Sequence, residues 1–256
     1  MSDSNALCVV TGACGPLGWA ITAHMSGVGH SVLAVDLPGA VEQRRKEAAG
    51  LPVTFLSLDL TLPGAADTVQ SAVDEAGAAL QVLINNAAFT GDASLGGYAC
   101  AFDDQSDEAF DAALALNLAV PFRLVRRLAP HLRRSDSAAV INIASIYGLV
   151  GPDLSLYEGT SMGNPAGYAA SKGGLVQLTR YLSTVLAPDV RVNCIAPGGL
   201  ARGQNPAFTE RYAARTPLGR MGTESEVAEA VAWLASDAST YVTGQVIAVD
   251  GGWTAW

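Results

Sequence analysis

Tyr168 and Lys172, four residues apart in Tyr168-Ala-Ala-Ser-Lys172, are the side chains in this sequence best suited to move a proton together. On a helix, positions i and i+4 share a face, so phenol and ammonium converge on one site. A free phenol titrates near pH ~10, and a neighbouring ammonium favours phenolate, which brings the group towards a range where it serves as a base near neutral pH. The lysine is a departure from the chain's habit: Lys46 and Lys172 are the only two, and arginine supplies the rest of the 15 cations. Tyr157 offers no second version of this pair, because the residue four positions on is Ser161.

A second constellation lies near the start, in Thr11-Gly-Ala-Cys-Gly-Pro-Leu-Gly18. Glycines at 12, 15 and 18 allow a tight turn, a close approach to a pyrophosphate, and a helix whose first N–H groups face that anion. An apolar run precedes the turn and ends in it; another ends at Asp36, 18 residues beyond Gly18. A carboxylate there accepts hydrogen bonds from adenosine ribose hydroxyls and repels a 2′-phosphate. Neither Ala13, Cys14 nor Leu37 supplies a cation to offset that repulsion, so the expected cofactor is NAD rather than NADP. Leu17 and Leu37, beside the turn and the carboxylate, belong to the same expected cofactor set.

These groups need a frame, and the apolar pattern supplies one. Strand-length runs at Leu7–Thr11, Ser31–Asp36, Val53–Asp59, Gln81–Asn85, Ala138–Ala144, Val190–Ile195 and Gln245–Val249 alternate with segments of helical period. Seven strands separated by helices predict an α/β protein: one Rossmann-like domain over residues 1–256, with a doubly wound parallel sheet and helices on both faces. The first helix is expected near Leu17. Another has a legible start at Thr223-Glu-Ser-Glu226, a capping box ahead of the stripe Val227, Val231 and Leu234. Ala88–Gln105, Ile146–Gly167 and Gly198–Gly222 match no element. Each follows a strand at its carboxyl end, where α/β sheets bind ligands, so they are expected to wall the substrate.

Composition closes off other classes. Lys and Arg number 15 against 24 Asp and Glu, a net charge of −9, which opposes binding to a phosphate backbone. No stretch of about 18 apolar residues is present to span a membrane, and the first residues have no basic segment of the kind that opens a signal peptide, so the chain reads as cytoplasmic. Cys8, Cys14, Cys100 and Cys194 form no CxxC pair and read as buried free thiols, leaving no expected metal site. His24, His30 and His131 fall where packing or solvated roles are expected.

With those residues in view, the chain resembles the classical short-chain dehydrogenase/reductase family over essentially its whole length. The resemblance is carried, in order, by the glycine turn at 11–18, Asp59-Leu60, Asn85-Asn-Ala-Ala88, Asn117, Ser145, Tyr168-x-x-x-Lys172 and Asn193-Cys-Ile-Ala-Pro-Gly198. It implies that Asn117, Ser145, Tyr168 and Lys172 form a catalytic tetrad, with Ser145 holding the substrate oxygen and Asn117 supporting a water chain to Lys172. It implies that Asp59 and Leu60 hold the adenine, that Asn86 and Ala87 line the cofactor, and that Pro197, Gly198 and Leu200 face the nicotinamide. The implied activity is exchange of hydride between NAD and a secondary alcohol or ketone.

The chain departs from the family pattern in three places. Pro16 stands where the family usually has glycine, so that Gly12-x-x-Gly15-x-x-Gly18 takes the spacing of the extended, epimerase-like branch. Ala88 replaces a usual glycine, and the Ser145-to-Tyr168 interval is lengthened by the segment from Gly151 to Met162. That insertion, with Pro197-Gly-Gly199, Gln204, Phe208 and Tyr212, resembles a subgroup acting on sugars and glycans, so the substrate is expected to be sugar-like or a hydroxy acid. A sugar epimerase or dehydratase and a non-catalytic NAD sensor stay open as alternatives.

Two further expectations concern assembly and motion. A homotetramer is expected, with a homodimer as the other possibility; Trp253 and Trp256 would be awkward on a monomer's surface. The 198–222 segment is expected to be a mobile lid whose Gln204, Asn205, Arg211, Tyr212 and Arg215 offer donors to the substrate.

Overall fold

A computed structural model describes residues 6–90 and 95–256. The seven apolar runs are strands: β1 (Leu7–Thr11), β2 (Ser31–Asp36), β3 (Val53–Ser57), β4 (Leu80–Asn85), β5 (Ala138–Ile143), β6 (Val190–Pro197) and β7 (Val246–Val249). They form one sheet in the order β3-β2-β1-β4-β5-β6-β7, and every neighbouring pair is parallel. The order reverses direction between β1 and β4, which opens a crevice at the carboxyl ends of those two strands.

Alternation along each strand sorts the core into two layers. Leu7, Val9, Leu33, Val35, Leu83, Val140 and Val192 face one side. There they pack against Val69 and Val73 of α3 (Ala65–Ala76), Leu124 and Leu128 of α5 (Val120–Leu132), and Leu182 and Leu186 of α6 (Ala166–Leu186). Cys8, Val10, Val32, Ala34, Val82, Ile84 and Ile141 face the other, against Ile21 and Met25 of α1 (Pro16–Gly27) and Val227, Val231 and Leu234 of α8 (Glu224–Ala235). Burial on both faces is why the five inner strands read as continuous apolar runs, while the edge strands β3 and β7 are only partly buried. The capping box is formed: the Thr223 hydroxyl accepts from the Glu226 N–H, and the Glu226 carboxylate accepts from the Thr223 N–H at 2.9 Å.

The strand boundaries shift by one or two residues at several ends. β3 stops at Ser57, because Asp59 turns back to accept from the Thr61 N–H at 2.9 Å. β6 runs on to Pro197, carried by pairing with β7 through Val249. The segments that the sequence left without elements are not structureless. The 146–167 segment makes two tight turns, Ile146–Gly148 and Leu154–Tyr157, and the 198–222 segment contains α7 (Pro206–Arg215). Part of the 88–105 segment, residues 91–94, lies outside the described residues. Between α4 (Asp107–Leu114) and α5 the helix widens into a π turn over Ala115–Ala119, with Asn117 inside it.

Of the thiols, Cys8, Cys14 and Cys194 are buried, but Cys100 is exposed, a correction to the expectation for all four. Trp253 is buried at 2% exposure beneath Tyr212, so of the two C-terminal tryptophans it is Trp256, at 75%, that is exposed; Trp233 of α8 is exposed as well. Among the described residues no helix is long and apolar enough to cross a membrane, and no group of three or more His, Cys, Asp or Glu side chains is arranged to hold a metal.

Candidate active site

The glycine turn is fixed from behind. Gly12 takes φ +60°, and a Cβ there would stand 2.7 Å from Ala87 Cα; a Cβ on Gly18 would stand 1.9 Å from the Gly12 carbonyl oxygen. Both positions are closed to any side chain by the protein's own backbone. Gly15 differs: its nearest contact would be 3.8 Å away, so its open side faces the cleft. Asn86, at the end of β4, donates its side-chain amide to the Thr11 and Gly12 carbonyls at 3.0 and 2.9 Å, and the Thr11 hydroxyl accepts from the Asn86 and Ala87 N–H groups. The turn is thus tied across the switch point. No side chain caps the start of α1, which leaves its first N–H groups for an anion.

At the end of β2, Asp36 accepts from the Cys14 N–H on one oxygen and from the Leu37 N–H on the other, both at 2.8 Å. The sequence reading missed the neighbour of this carboxylate. Arg44, at the end of α2 (Pro38–Arg44), donates to the Cys14 carbonyl at 2.9 Å, lies over the Trp19 ring and pairs with Glu47. Its signal was the two helical turns that separate it from Asp36, legible only once α2 is known to be a helix.

At the other end of the same cavity, α6 carries Tyr168 and Lys172 on one face. Lys172 is 2% exposed; its Nζ donates to the Ile143 carbonyl at 2.7 Å and lies 5.7 Å from the Tyr168 ring centroid. Ser145 leaves β5 and caps the tight turn that follows, accepting from the Tyr147 N–H. Gly148 makes this approach possible, because a Cβ there would meet the Lys172 backbone at 2.8 Å. Burial pushes the Tyr168 phenol up from its ordinary value; the Ser145 hydroxyl and the Arg202 charge pull it down without overcoming that. Burial also holds the Lys172 ammonium down, to about 8. In the protein by itself, loss of water outweighs the Ser145 hydroxyl and the Arg202 charge at Tyr168.

One cavity of about 810 Å³ runs between these two ends. Gly12, Gly15, Leu17, Gly18, Asp36, Asn86, Ala87, Ser145, Tyr168, Lys172, Pro197, Gly198 and Leu200 all line it. Four expected residues do not. Leu37 is 53% exposed and contributes only its N–H to Asp36; Asp59 is occupied with Thr61; Leu60 is buried in the core beside a separate cavity. Asn117 is fully buried, accepting from the Phe89 N–H at 2.6 Å and donating to Ser171 Oγ at 2.9 Å, and Ser171 in turn donates to the Tyr168 carbonyl. Its side chain braces α6 beneath the tyrosine rather than reaching Lys172.

A smaller cavity of about 280 Å³ opens beside Ser145 and Tyr168. Its wall joins the insertion to α7: the Tyr147 and Tyr157 hydroxyls meet at 2.7 Å, Tyr157 packs on Phe208, Phe208 on Tyr212, and Tyr212 on Trp253. Arg211 donates to the Glu158 carbonyl at 2.6 Å and Arg215 pairs with Asp153 at 3.1 Å. Asn205 caps α7, Gln204 donates to the Leu200 carbonyl, and the Tyr212 hydroxyl accepts from the Gly199 N–H. Of the donors expected to greet a substrate from this segment, those of Arg211, Arg215 and Gln204 are thus engaged in holding the segment, whereas Asn205 and Tyr212 only accept here and the Tyr212 O–H remains at the smaller cavity.

Residues 12–254 match a family model described as enoyl-(acyl carrier protein) reductase. The 3-oxoacyl-(acyl-carrier-protein) reductase FabG of Thermotoga maritima is 33% identical, the alignment covering 96% of each chain. A crystal structure provisionally assigned as a gluconate dehydrogenase, from Agrobacterium tumefaciens, superposes with a TM-score of 0.86 at 25% identity, covering 98% of this chain and 96% of that one. A short-chain dehydrogenase from Leptospira borgpetersenii, solved with bound NAD+, gives the same TM-score at 29% identity, covering 98% of this chain and 93% of that one.

Proposed function

The chain belongs to the classical short-chain dehydrogenase/reductase family, and from that premise we propose that it interconverts a secondary alcohol and a ketone, using NAD. The observation that carries the reading is that Asp36 and Lys172 stand at the two ends of a single cavity. The cavity fits a dinucleotide: an uncapped helix start and the open side of Gly15 suit the pyrophosphate, Asp36 the ribose hydroxyls, and Pro197, Gly198 and Leu200 the nicotinamide. When bound, the nicotinamide supplies the site that takes up or gives back hydride.

The chain's own residues handle the oxygen and its proton. Ser145 holds the substrate oxygen against Tyr168, and the phenol gives or takes the proton at its Oη. Lys172, positioned by the Ile143 carbonyl, places a positive charge near the phenol in the protonated form. Asn117 and Ser171 fix the turn of α6 on which Tyr168 stands. Asp36 favours NAD because its carboxylate would repel a 2′-phosphate, a repulsion that the nearby Arg44 guanidinium, paired with Glu47, only partly offsets. The assembly proposed is a homotetramer; light scattering at micromolar concentration checks it, and a monomeric mass rejects it. The reading as a whole is tested with a panel of alcohols and ketones and both cofactors, following reduced nicotinamide. Exchange of NADH into solvent separates a dehydrogenase from an epimerase that keeps its cofactor.

A further inference from the structure

The smaller cavity is chemically one-sided. Among the described residues, none that lines it carries a charge, although charged side chains stand close behind its wall. A carboxylate entering such a site would lose water and meet no cation on its wall, since Arg202, whose charge reaches Tyr168 from the larger cavity, is paired with Glu224. The cavity is nonetheless equipped to donate hydrogen bonds beyond those of Ser145 and Tyr168. In the Tyr147–Tyr157 contact one hydroxyl donates to the other, so the accepting phenol keeps its own O–H free. Asn164, which lines the same cavity, has its side-chain nitrogen buried with no hydrogen-bond partner among the described residues. A buried donor left unpaired is a standing penalty, removed by any ligand that brings an acceptor to it.

We infer that this pocket selects uncharged, ring-sized alcohols or ketones that carry a second, neutral oxygen, with Asn164 and the Tyr147–Tyr157 pair reading that oxygen. The inference rests on the dehydrogenase reading above and deepens it: of the two substrate classes expected from the sequence, it favours the polyhydroxylated one over the hydroxy acid. The volume of about 280 Å³ lies near the lower end of the ~300–1,000 Å³ usual for small-molecule sites, which suits one ring rather than a long chain. The tyrosine and phenylalanine faces supply apolar area for the ring itself. A site built to hydrogen-bond a substrate oxygen discriminates strongly against an analogue without it, because its own donors are then left unpaired.

Four probes of one skeleton test the idea: cyclohexanol, cyclohexane-1,2-diol, cyclohexane-1,3-diol and 2-hydroxycyclohexanecarboxylate, each with NAD+ and with NADP+. The better diol is expected to exceed both cyclohexanol and the hydroxy acid in kcat/KM by tenfold or more. In Asn164→Ala the diol's advantage over cyclohexanol is expected to shrink by tenfold, chiefly through KM. Circular dichroism confirms the variant's fold, and Tyr157→Phe provides a second variant with the same expected direction. A hydroxy acid that matches the diol, a diol no better than cyclohexanol, or an unchanged ratio in both variants overturns the inference. Should no probe be turned over with either cofactor, the dehydrogenase reading is what has failed for this skeleton. Calorimetric binding of the same probes to the protein with NAD+ then decides the pocket, the same order supporting it and no binding or the reverse order overturning it.

Discussion

Gly18 tolerates no Cβ because the backbone it would strike belongs to its own turn, and the turn is tied to β4 by hydrogen bonds from Asn86. The wall beside Tyr168 is built on another plan, from aromatic rings on segments distant in sequence, Tyr147 and Tyr157 before α6 and Phe208 and Tyr212 after it. One end of the cleft is defined by backbone geometry with little freedom to vary. The other is defined by side chains that pack as a cluster and can be exchanged without touching the sheet. A site of this kind keeps its chemistry constant while its selectivity changes, since the two are specified by different atoms.

The sharpest separation of the two ends comes from Tyr168→Phe. Deleting the phenol oxygen removes proton transfer and leaves the turn at residues 11–18 untouched, so kcat is expected to fall by about 10²–10⁴-fold. NAD affinity, measured by calorimetry, stays within a few-fold of wild type. Tyr157→Phe changes substrate affinity and keeps the chemistry; a larger loss of kcat there than in Tyr168→Phe moves the proton-transfer group to the insertion.

Within the cofactor end the glycines divide by the same logic. Gly18→Ala drives a methyl into the Gly12 carbonyl, an overpacking expected to cost about 1–3 kcal/mol in denaturant unfolding and to abolish NAD binding. Gly15→Ala meets nothing nearer than 3.8 Å, so stability is kept while affinity for NAD drops. Equal destabilisation by both would show that the turn relaxes as a unit.

How much of this was open to sequence reasoning follows the same division. The five inner strands were legible because both their faces are buried, and Gly12, Gly18, Asp36, Tyr168 and Lys172 were legible because local geometry demands those types at those spacings. Cluster contacts such as Tyr157 on Phe208 depend on how two loops fold back on each other, which no short-range period encodes. The structure also reassigns Arg211 and Arg215, which sequence reading pointed at the substrate, to the insertion's backbone and Asp153. Asn164 carried no signal at all, being one polar residue in a loop. Asn117 was found by resemblance, but its partners Phe89 and Ser171 emerged only from the packing of the π turn against α6.

Lys172 links function to stability. Its ammonium is held at about 8 against an ordinary 10.5, so the unfolded chain binds the proton more tightly. Folding is therefore penalised fully below pH 8, and the penalty is relieved as pH rises from 8 to 10.5. Lys172→Met removes that penalty together with the bond to the Ile143 carbonyl, and the protein is expected to gain about 1–2 kcal/mol at pH 7 while losing activity. Thermal melts should show the gain fading towards pH 10. A variant less stable than wild type at pH 7 would mean that the hydrogen bond outweighs the burial.

At the adenosine end, Asp36→Ala is expected to narrow the preference for NAD over NADP by tenfold, about 1.4 kcal/mol. Arg44 gives this variant a particular edge, since removing the carboxylate leaves its guanidinium as a nearby charge at the cavity's end. The double variant Asp36→Ala with Arg44→Ala should then lose NADP affinity relative to the single one. A wild type that already prefers NADP tenfold would overturn the role given to Asp36.

The smallest effect tests whether the aromatic end moves. Arg215 bridges the 198–222 segment to the insertion through Asp153 and covers the Trp253 ring at 4.9 Å, yet it is partly exposed, so solvent screening reduces its contribution to under about 1 kcal/mol. Arg215→Ala is therefore expected to leave global unfolding nearly unchanged while amide exchange in α7 speeds up a few-fold, because local opening needs only the contacts that hold the segment down. Adding NAD and a substrate analogue to wild type should slow the same amides if the segment closes over the cleft. Protection that is identical with and without ligands, and unaltered by Arg215→Ala, would make the segment a fixed wall whose shape is set by Phe208 and Tyr212 alone, and the difference between the two ends would then be one of composition and not of mobility.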